Sequence, residues 1–265
     1  MTTFLVALLV YAAFAALAFA FQARLIFPGT SAAPVLPAGT RPLEIRAPGA
    51  DLRGVLIPAA EPAQGAPLIL SFAGNATNGA AAALYVHDLY PTADVIGFHY
   101  RGYRPSSGKT DAASLCADSL LIHDFAAHRF PGRPMVAIGF SIGSGVASYL
   151  ASHRPLAGLI LVTPFDSLEK VAADRMKWLP VRWLFRNPMI SAEWLRGTTL
   201  PVAVIAGGSD DLVRPARTDA LRRAIPHLVY DRTIAGADHN DIYDKAAFRH
   251  AMREALAAVT AARKP

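Results

Sequence analysis

The sequence predicts an α/β fold, in which helices flank a mainly parallel, twisted β-sheet. Short apolar runs alternate with segments of helical periodicity along most of the chain, and several of these runs are almost continuously apolar and bounded by Gly or Pro. Such runs are typical of strands that are buried on both faces of a sheet. The 265 residues are enough for one large domain of this class.

The N-terminal segment precedes this pattern and is apolar throughout. From residue 4 to residue 21 it reads FLVALLVYAAFAALAFAF, with no charge, Pro or Gly. The run is long enough to cross a bilayer as a helix, and it lacks the polar face of a surface helix. Two interpretations are open: an N-terminal transmembrane anchor within residues 1–22, or a secretory signal cleaved near Ala20. The length of the run, and the absence of Lys or Arg before it, favour the anchor.

A stretch rich in Pro, Gly and Ala follows, from Pro28 to Pro48. This composition is typical of a linker. The sequence therefore predicts a tether over residues 23–48, followed by the folded domain over residues 49–265.

Strands and helices are predicted to alternate within the domain. The strand predictions are Leu68–Phe72, Val95–His99, Met135–Phe140, Leu159–Val162 and Val202–Ala206. The helix predictions are about 77–90, 110–130, 142–153, 215–225 and 241–262.

The interval between Val162 and Val202 is too long for a simple crossover between parallel strands. It carries three Trp residues interleaved with Lys and Arg. We predict a small helical cap at about 165–198. The cap is either an ordinary crossover with its own packing, or a lid that lines an acyl site or touches lipid.

A pentapeptide of the form G-x-S-x-G centres on Ser141. A predicted strand runs directly into it and a predicted helix leaves it, which is the strand–turn–helix setting of a nucleophilic serine. The positive end of the helix dipole would favour negative charge that forms next to the hydroxyl. We predict that Ser141 is the nucleophile.

A serine hydroxyl needs an adjacent base, which is itself oriented by a carboxylate. His239 lies in a polar loop between a predicted strand and the last helix, whereas His250 falls on a helix face. Asp210 and Asp211 follow the strand that ends at Ala206, so acid and base both lie at the edge where open α/β sheets place their ligands. We predict His239 as the base.

The acid is open between two adjacent carboxylates. We favour Asp210, with Asp211 as the alternative. Asp238 is a third candidate, but as the sequence neighbour of His239 it is badly placed to orient that ring.

The oxyanion that forms in acyl transfer needs backbone donors. Ile142, which follows the nucleophile, would supply one N–H. The loop after the first predicted strand, SFAGNA, would supply the other, and we predict Asn75 as this donor.

The composition argues against a disulfide-stabilised fold, cysteine chemistry and nucleic-acid binding. Cys116 is the single cysteine, so an intramolecular disulfide is excluded, and its helical setting favours packing over chemistry. The net charge is +6, but the Lys and Arg residues are scattered and form no nucleic-acid-binding module. We predict no nucleic-acid partner, no metal and no cofactor; the membrane is the expected partner, through residues 4–21.

The chain resembles the α/β-hydrolase superfamily, in particular its membrane-associated, ABHD-type and bacterial serine hydrolases. The order and spacing of seven segments carry the resemblance: QARLIFPG, FAGNATN, HYRGYRPSSG, GFSIG, TPFDSLEKVA, GGSDDLVRP and GADHND. The resemblance implies a triad of Ser141, Asp210 and His239, with an oxyanion site near Asn75 and Ile142. Many relatives have His-Gly-Asn where this chain has Ala73-Gly74-Asn75. Because the donor is a backbone group, we expect the oxyanion site to be retained.

These residues and the resemblance lead to the expectation of a serine hydrolase that cleaves a carboxylic ester or thioester through an acyl-enzyme on Ser141. The apolar segment, the aromatic cap and the basic charge favour a lipid-like acyl substrate. One alternative is a peptidase or amidase that uses the same triad, since the resembled family includes peptidases as well as acyl-thioesterases and esterases. Another is a catalytically silent, membrane-anchored protein that binds a partner through its cap.

Overall fold

Eight strands form one sheet in the order β1-β2-β4-β3-β5-β6-β7-β8, in a computed structural model that describes residues 2–29, 34–61 and 63–262. All pairings among β3 to β8 are parallel, whereas β2 is antiparallel to both β1 and β4. The strands are β1 (Arg41–Ala47), β2 (Ala50–Ile57), β3 (Leu68–Phe72), β4 (Val95–Phe98), β5 (Met135–Phe140), β6 (Gly158–Val162), β7 (Val202–Gly207) and β8 (Leu228–Ile234).

Nine helices accompany this sheet within the described ranges. They are α1 (Thr2–Ile26), α2 (Gly79–Leu89), α3 (Ala112–Arg129), α4 (Ile142–His153), α5 (Leu168–Arg175), α6 (Val181–Leu184), α7 (Ser191–Arg196), α8 (Pro215–Arg222) and α9 (Ala246–Ala261). The predicted mainly parallel sheet flanked by helices is therefore confirmed, and so is the apolar N-terminal helix.

Two apolar cores lie on opposite faces of the sheet. Leu68 and Leu70 pack into the core that includes side chains of α3 and α4, while Ile69 packs into the core formed with α2 and α9. Because successive side chains of a strand point to opposite faces, a central strand is apolar at most of its positions. This geometry explains the continuous apolar runs in the sequence.

The β1–β2 hairpin corrects the predicted domain boundary. The tether predicted over residues 23–48 is wrong at its two ends, because α1 continues to Ile26 and Arg41–Ala47 forms β1. The strand escaped prediction because Leu43 is its only buried residue, so its apolar alternation is weak. The domain therefore begins at Arg41 rather than at residue 49. Residues 30–33 of the predicted tether lie outside the described residues.

The last helix begins later than its predicted start at residue 241. A 3₁₀ turn occupies Ile242–Asp244, and α9 begins at Ala246. The Asp238 side chain accepts the backbone N–H groups of Asn240 and Asp241, at 2.7 and 2.8 Å. Such local bonds offer the backbone an alternative to the helix, which delays its start.

The predicted cap region contains three short helices, α5, α6 and α7. It joins the carboxyl end of β6 to the amino end of β7. The helix α1 is 25 residues long and apolar enough to cross a membrane, although a signal sequence would share these properties.

The turn between β5 and α4 depends on close backbone approach. A Cβ atom on Gly143 would lie 2.2 Å from the carbonyl oxygen of Phe72 in β3. A Cβ atom on Gly139 would lie 2.3 Å from the carbonyl oxygen of Gly143. Both neighbours are backbone atoms of the core, so a side chain at either position must displace a strand or a helix.

We expect Gly143→Ala to destabilise the protein by about 1–3 kcal/mol, the usual cost of overpacking a core. Gly197→Ala is the matched control, because Gly197 ends a helix and a Cβ atom there would meet nothing within 4 Å. Thermal unfolding should show a Tm several degrees lower for the first variant and little change for the second. Equal Tm values for the two variants would contradict this account of the turn.

Candidate active site

Ser141 lies on the sharp turn between β5 and α4. Its backbone has φ 49° and ψ −114°, a conformation that costs a non-glycine residue free energy and is held only by its surroundings. Its N–H donates to the carbonyl oxygen of Val162 at the end of the neighbouring strand, at 2.9 Å. This bond helps to hold the serine at the carboxyl edge of the sheet.

His239 joins Ser141 to Asp210. Its Nε2 lies 2.9 Å from Ser141 Oγ, and its Nδ1 lies 2.7 Å from Asp210 Oδ2. The carboxylate accepts from Nδ1–H, which leaves the Nε2 lone pair directed at the serine hydroxyl. His239 and Asp210 are 5% and 4% exposed, so water competes little for either bond.

The two adjacent carboxylates lie in different surroundings. Asp210 uses its second oxygen, Oδ1, to accept the N–H of Val213 at 2.8 Å, so both of its oxygens are engaged. The Asp211 side chain is 87% exposed, and its nearest cation is Arg175 at 4.0 Å. The structure thus brings Asp210, and not Asp211, to the histidine.

Backbone bonds tie the loop that carries Asp210 to the loop that carries His239. The Gly208 N–H donates to the Ile234 carbonyl at 2.9 Å, and the Ser209 N–H donates to the Ala237 carbonyl at 2.8 Å. The separation of acid and base therefore depends on the pairing of β7 with β8 rather than on two independent loops.

Asp238 organises the loop around His239 instead of orienting the ring. Besides accepting the two backbone bonds described above, it donates its own N–H to Asp241 Oδ1 at 2.8 Å. Lys245 pairs with Asp241 at 2.6 Å and lowers the pKa of that carboxyl. Sequence reasoning missed this clamp, although carboxylates three residues apart in a loop are its recognisable signal.

Of the two predicted oxyanion donors, Ile142 directly follows Ser141, and Asn75 lines the same cleft as Ser141. The N–H of Ile142 belongs to the first turn of α4, where N–H groups have no partner within the helix. Asn75 lies in the exposed loop after β3, and its Oδ1 accepts the N–H of Ala76 at 2.9 Å. The Tyr100 hydroxyl donates to the Ala73 carbonyl at 2.8 Å, so the position that departs from the family pattern is anchored through its backbone.

A cleft of about 360 Å³ opens beside Ser141. Its walls are mainly apolar and come from α2, β5 and the loops that follow β3, β7 and β8. Tyr85, Phe140 and Tyr243 form an aromatic group with ring centroids 6.0–6.3 Å apart. Burial raises the pKa of Tyr243 to about 12, so this phenol is uncharged at neutral pH.

The tyrosines of this wall and Leu212 were missed from the sequence. Tyr243 lies four residues after the predicted base, which was an available signal, but Tyr85 carried only the apolar periodicity of α2. The cap at 165–198 contributes no residue to the cleft lining in the described part of the chain. The cap therefore does not line the cleft in this arrangement of the chain.

A cysteine nucleophile and a metal site both have little support. Cys116 is buried in α3, and burial raises the pKa of its thiol to about 12, which makes it a poor nucleophile. Among the residues that the structure describes, no three of His, Cys, Asp and Glu lie close enough together to hold a metal ion.

No protein-family model matches the chain, but individual proteins do. It is 34% identical over 230 residues to an uncharacterized protein of Mycobacterium tuberculosis strain H37Rv, and the match covers 83% of this chain and 81% of that protein. It is 28% identical over 170 residues to the lysophosphatidylserine lipase ABHD12 of Danio rerio, and this match covers 56% of this chain and 44% of the lipase. An esterase of Pyrococcus furiosus superposes with a TM-score of 0.67 at 16% identity, over 90% of this chain and 100% of that structure. The chain belongs to the α/β-hydrolase superfamily.

The site of this α/β hydrolase follows the chain order of its superfamily, serine, then acid, then histidine. Ser141 follows β5, Asp210 follows β7 and His239 follows β8. Because parallel strands end at one edge of the sheet, residues far apart in sequence meet there.

We expect Asp210→Asn to remove the strong hydrogen bond from His239 Nδ1–H, since an amide cannot replace the carboxylate as a charged acceptor. The downfield imidazole N–H resonance in proton NMR spectra of the ¹⁵N-labelled hydrolase should disappear. Asp211→Asn, which removes the same charge one residue away, should preserve it. A resonance that survives Asp210→Asn would show that another group holds the ring.

Proposed function

We propose that this α/β hydrolase cleaves a carboxylic ester or thioester through an acyl-enzyme on Ser141. The observation that carries the proposal is the continuous hydrogen-bond chain from Ser141 through His239 to Asp210, beside an open cleft. A hydroxyl, a neutral imidazole acceptor and a buried carboxylate in this order activate a serine for attack on a carbonyl carbon.

Acylation begins when Ser141 Oγ attacks the carbonyl carbon and its proton passes to His239 Nε2. The negative charge that develops on the carbonyl oxygen lies next to the N–H of Ile142, with the Asn75 N–H as the second donor. The imidazolium, stabilised by Asp210, then gives its proton to the leaving alcohol or thiol. The tetrahedral intermediate collapses to an acyl ester of Ser141.

Deacylation repeats these steps with water in place of the alcohol. His239 takes a proton from water, whose oxygen attacks the acyl carbon. Collapse of the second tetrahedral intermediate returns the proton from the imidazole to Ser141 Oγ and releases the carboxylic acid. No external oxidant, metal or cofactor is needed to balance either half-reaction.

The walls of the cleft support a lipid-like acyl substrate. Leu212 and the aromatic side chains lie beside the nucleophile, where the acyl group of a substrate would lie. ABHD12, one of the relatives, is named as a lysophosphatidylserine lipase. A substrate of this kind resides in or near membranes, which agrees with a role for α1 as a membrane anchor rather than a cleaved signal.

Fluorophosphonate labelling tests the proposal. We expect the full-length hydrolase to be labelled once, on Ser141, and Ser141→Ala to abolish labelling. For p-nitrophenyl butyrate hydrolysis, Asp210→Asn should lower kcat/KM by about 10³–10⁴ because the histidine loses its tautomer and orientation, while Asp211→Asn should stay near wild type. Labelling that persists in Ser141→Ala would refute the assignment of the nucleophile.

The pH dependence of hydrolysis provides a second test. An imidazole accepts the serine proton only when it is neutral. We expect kcat/KM to fall toward acidic pH and to level off at higher pH, because the base must be unprotonated. His250→Gln is the matched control, because the His250 side chain is 72% exposed on α9 and should not affect the profile. A flat or acid-optimal profile would exclude a histidine base.

A further inference from the structure

The apolar helix α1 packs against the cap. The Tyr11 hydroxyl donates to the carbonyl oxygen of Trp178 at 2.9 Å, and the ring of Phe14 lies 5.0 Å from that of Trp178. Further along α1, the Gln22 side chain donates to the Leu184 carbonyl at 3.0 Å and accepts the N–H of Arg186 at 2.7 Å. The cap is therefore attached to α1 over half of the helix.

These contacts determine how deep the cap lies if α1 is a membrane anchor. The stretch from Tyr11 to Gln22 spans about 16 Å of helix axis. The apolar run of residues 4–21, which would form the anchor, spans about 27 Å, so a hydrocarbon core of about 30 Å needs all of it. The segment that crosses the bilayer must therefore include α1 residues that contact the cap, and the cap must enter the same leaflet.

The polar atoms at this interface are compatible with such an environment. Backbone groups that enter hydrocarbon need partners inside the protein. The carbonyls of Trp178 and Leu184 and the N–H of Arg186 all obtain theirs from side chains of α1. The guanidinium of Arg186 also lies 5.0 Å from the ring of Phe19.

The outer face of the cap carries large apolar side chains. Trp183 is 80% exposed and Trp178 is 52% exposed. The surrounding segment, residues 175–186, reads RMKWLPVRWLFR and has four basic residues and no acidic one. Tryptophan beside Lys and Arg is the composition of surfaces that lie at the boundary of an anionic bilayer.

The cap also adjoins the active site. Arg175, at the end of α5, donates to the carbonyl oxygen of Asp211 at 3.3 Å. Asp211 lies between Asp210, which holds the histidine, and Leu212, which lines the cleft. A cap that sits in the membrane would place this side of the cleft at the membrane surface.

We infer that the cap is immersed in one leaflet of a phospholipid bilayer together with α1. Trp178 and Trp183 contact lipid there, and the basic residues of segment 175–186 meet anionic headgroups. This inference rests on the membrane attachment in the proposed function and is independent of the chemistry at Ser141.

Lipid quenching of tryptophan fluorescence tests the immersion. Full-length protein is placed in bilayer nanodiscs of phosphatidylcholine and phosphatidylglycerol, with or without bromine on the phosphatidylcholine chains. Three variants each keep one tryptophan, with the other two changed to Phe. Trp194 is the internal reference, because it is half-buried on α7 with its ring 5.1 Å from that of Tyr149.

We expect brominated lipid to quench Trp183 and Trp178 several-fold more strongly than Trp194. Equal quenching of all three, or quenching of Trp183 by aqueous iodide but not by brominated lipid, would overturn the inference. So would protection of Trp183 from both quenchers in a dimeric sample, since a second copy would then cover the surface.

Charge reversal tests the contribution of the headgroups. Arg182→Glu should reduce the quenching of Trp183 in bilayers that contain phosphatidylglycerol. Arg129→Glu makes the same change just before β5, at the opposite edge of the sheet from Ser141, and should have no effect. A reduction of the same size in both variants would refute an anionic headgroup contact at the cap.

Fluorophosphonate labelling of every variant separates this inference from the proposed function. Labelling equal to wild type shows that a variant is folded around Ser141. If the wild type itself is not labelled while Trp183 is quenched by lipid, the proposed chemistry fails and the immersion stands. If labelling is normal and quenching of Trp183 by lipid is absent, the immersion fails and the proposed chemistry stands.

Discussion

The strained backbone at Ser141 is the constraint on which the rest of the site depends. A positive φ at a serine persists only where the surroundings fix it more strongly than the strain opposes it. Here the N–H of Ser141 is bonded to the next strand, and α4 approaches β3 so closely that Gly143 has no room for a side chain. The rigidity of the parallel sheet is thus used to expose one hydroxyl at its edge.

A serine hydroxyl in that position is a weak nucleophile unless an imidazole lies within hydrogen-bond distance as its base. The pairing of β7 with β8 sets the separation of Asp210 and His239, and burial protects their bond from water. The clamp of Asp238 and Asp241 shapes the histidine loop from the solvent side. Acidic residues next to one another in sequence therefore have different tasks, because backbone geometry, and not proximity along the chain, determines which carboxylate faces the ring.

In the proposed function, the cap and the cleft have separate roles toward an apolar substrate. The cleft walls come from α2 and the strand-end loops, and its aromatic group lies directly beside Ser141. The cap packs on α1 instead and presents tryptophan and basic side chains outward. In the arrangement we propose, one surface meets the membrane and the other receives the acyl group, so a substrate could pass from lipid to nucleophile with little exposure to water.

Local pattern was sufficient for the strands β3 and β5, the helix α4 and the placement of Ser141 and His239 just after strands. Apolar periodicity and the strand–turn–helix setting are properties of contiguous residues. It was insufficient for β1, where only Leu43 is buried, and for the start of α9, where side chains compete for backbone bonds. The choice between Asp210 and Asp211, the aromatic wall of the cleft and the attachment of the cap to α1 required tertiary structure. Each of these depends on contacts between residues far apart in the chain, whose geometry is set by the packed sheet and has no local signature.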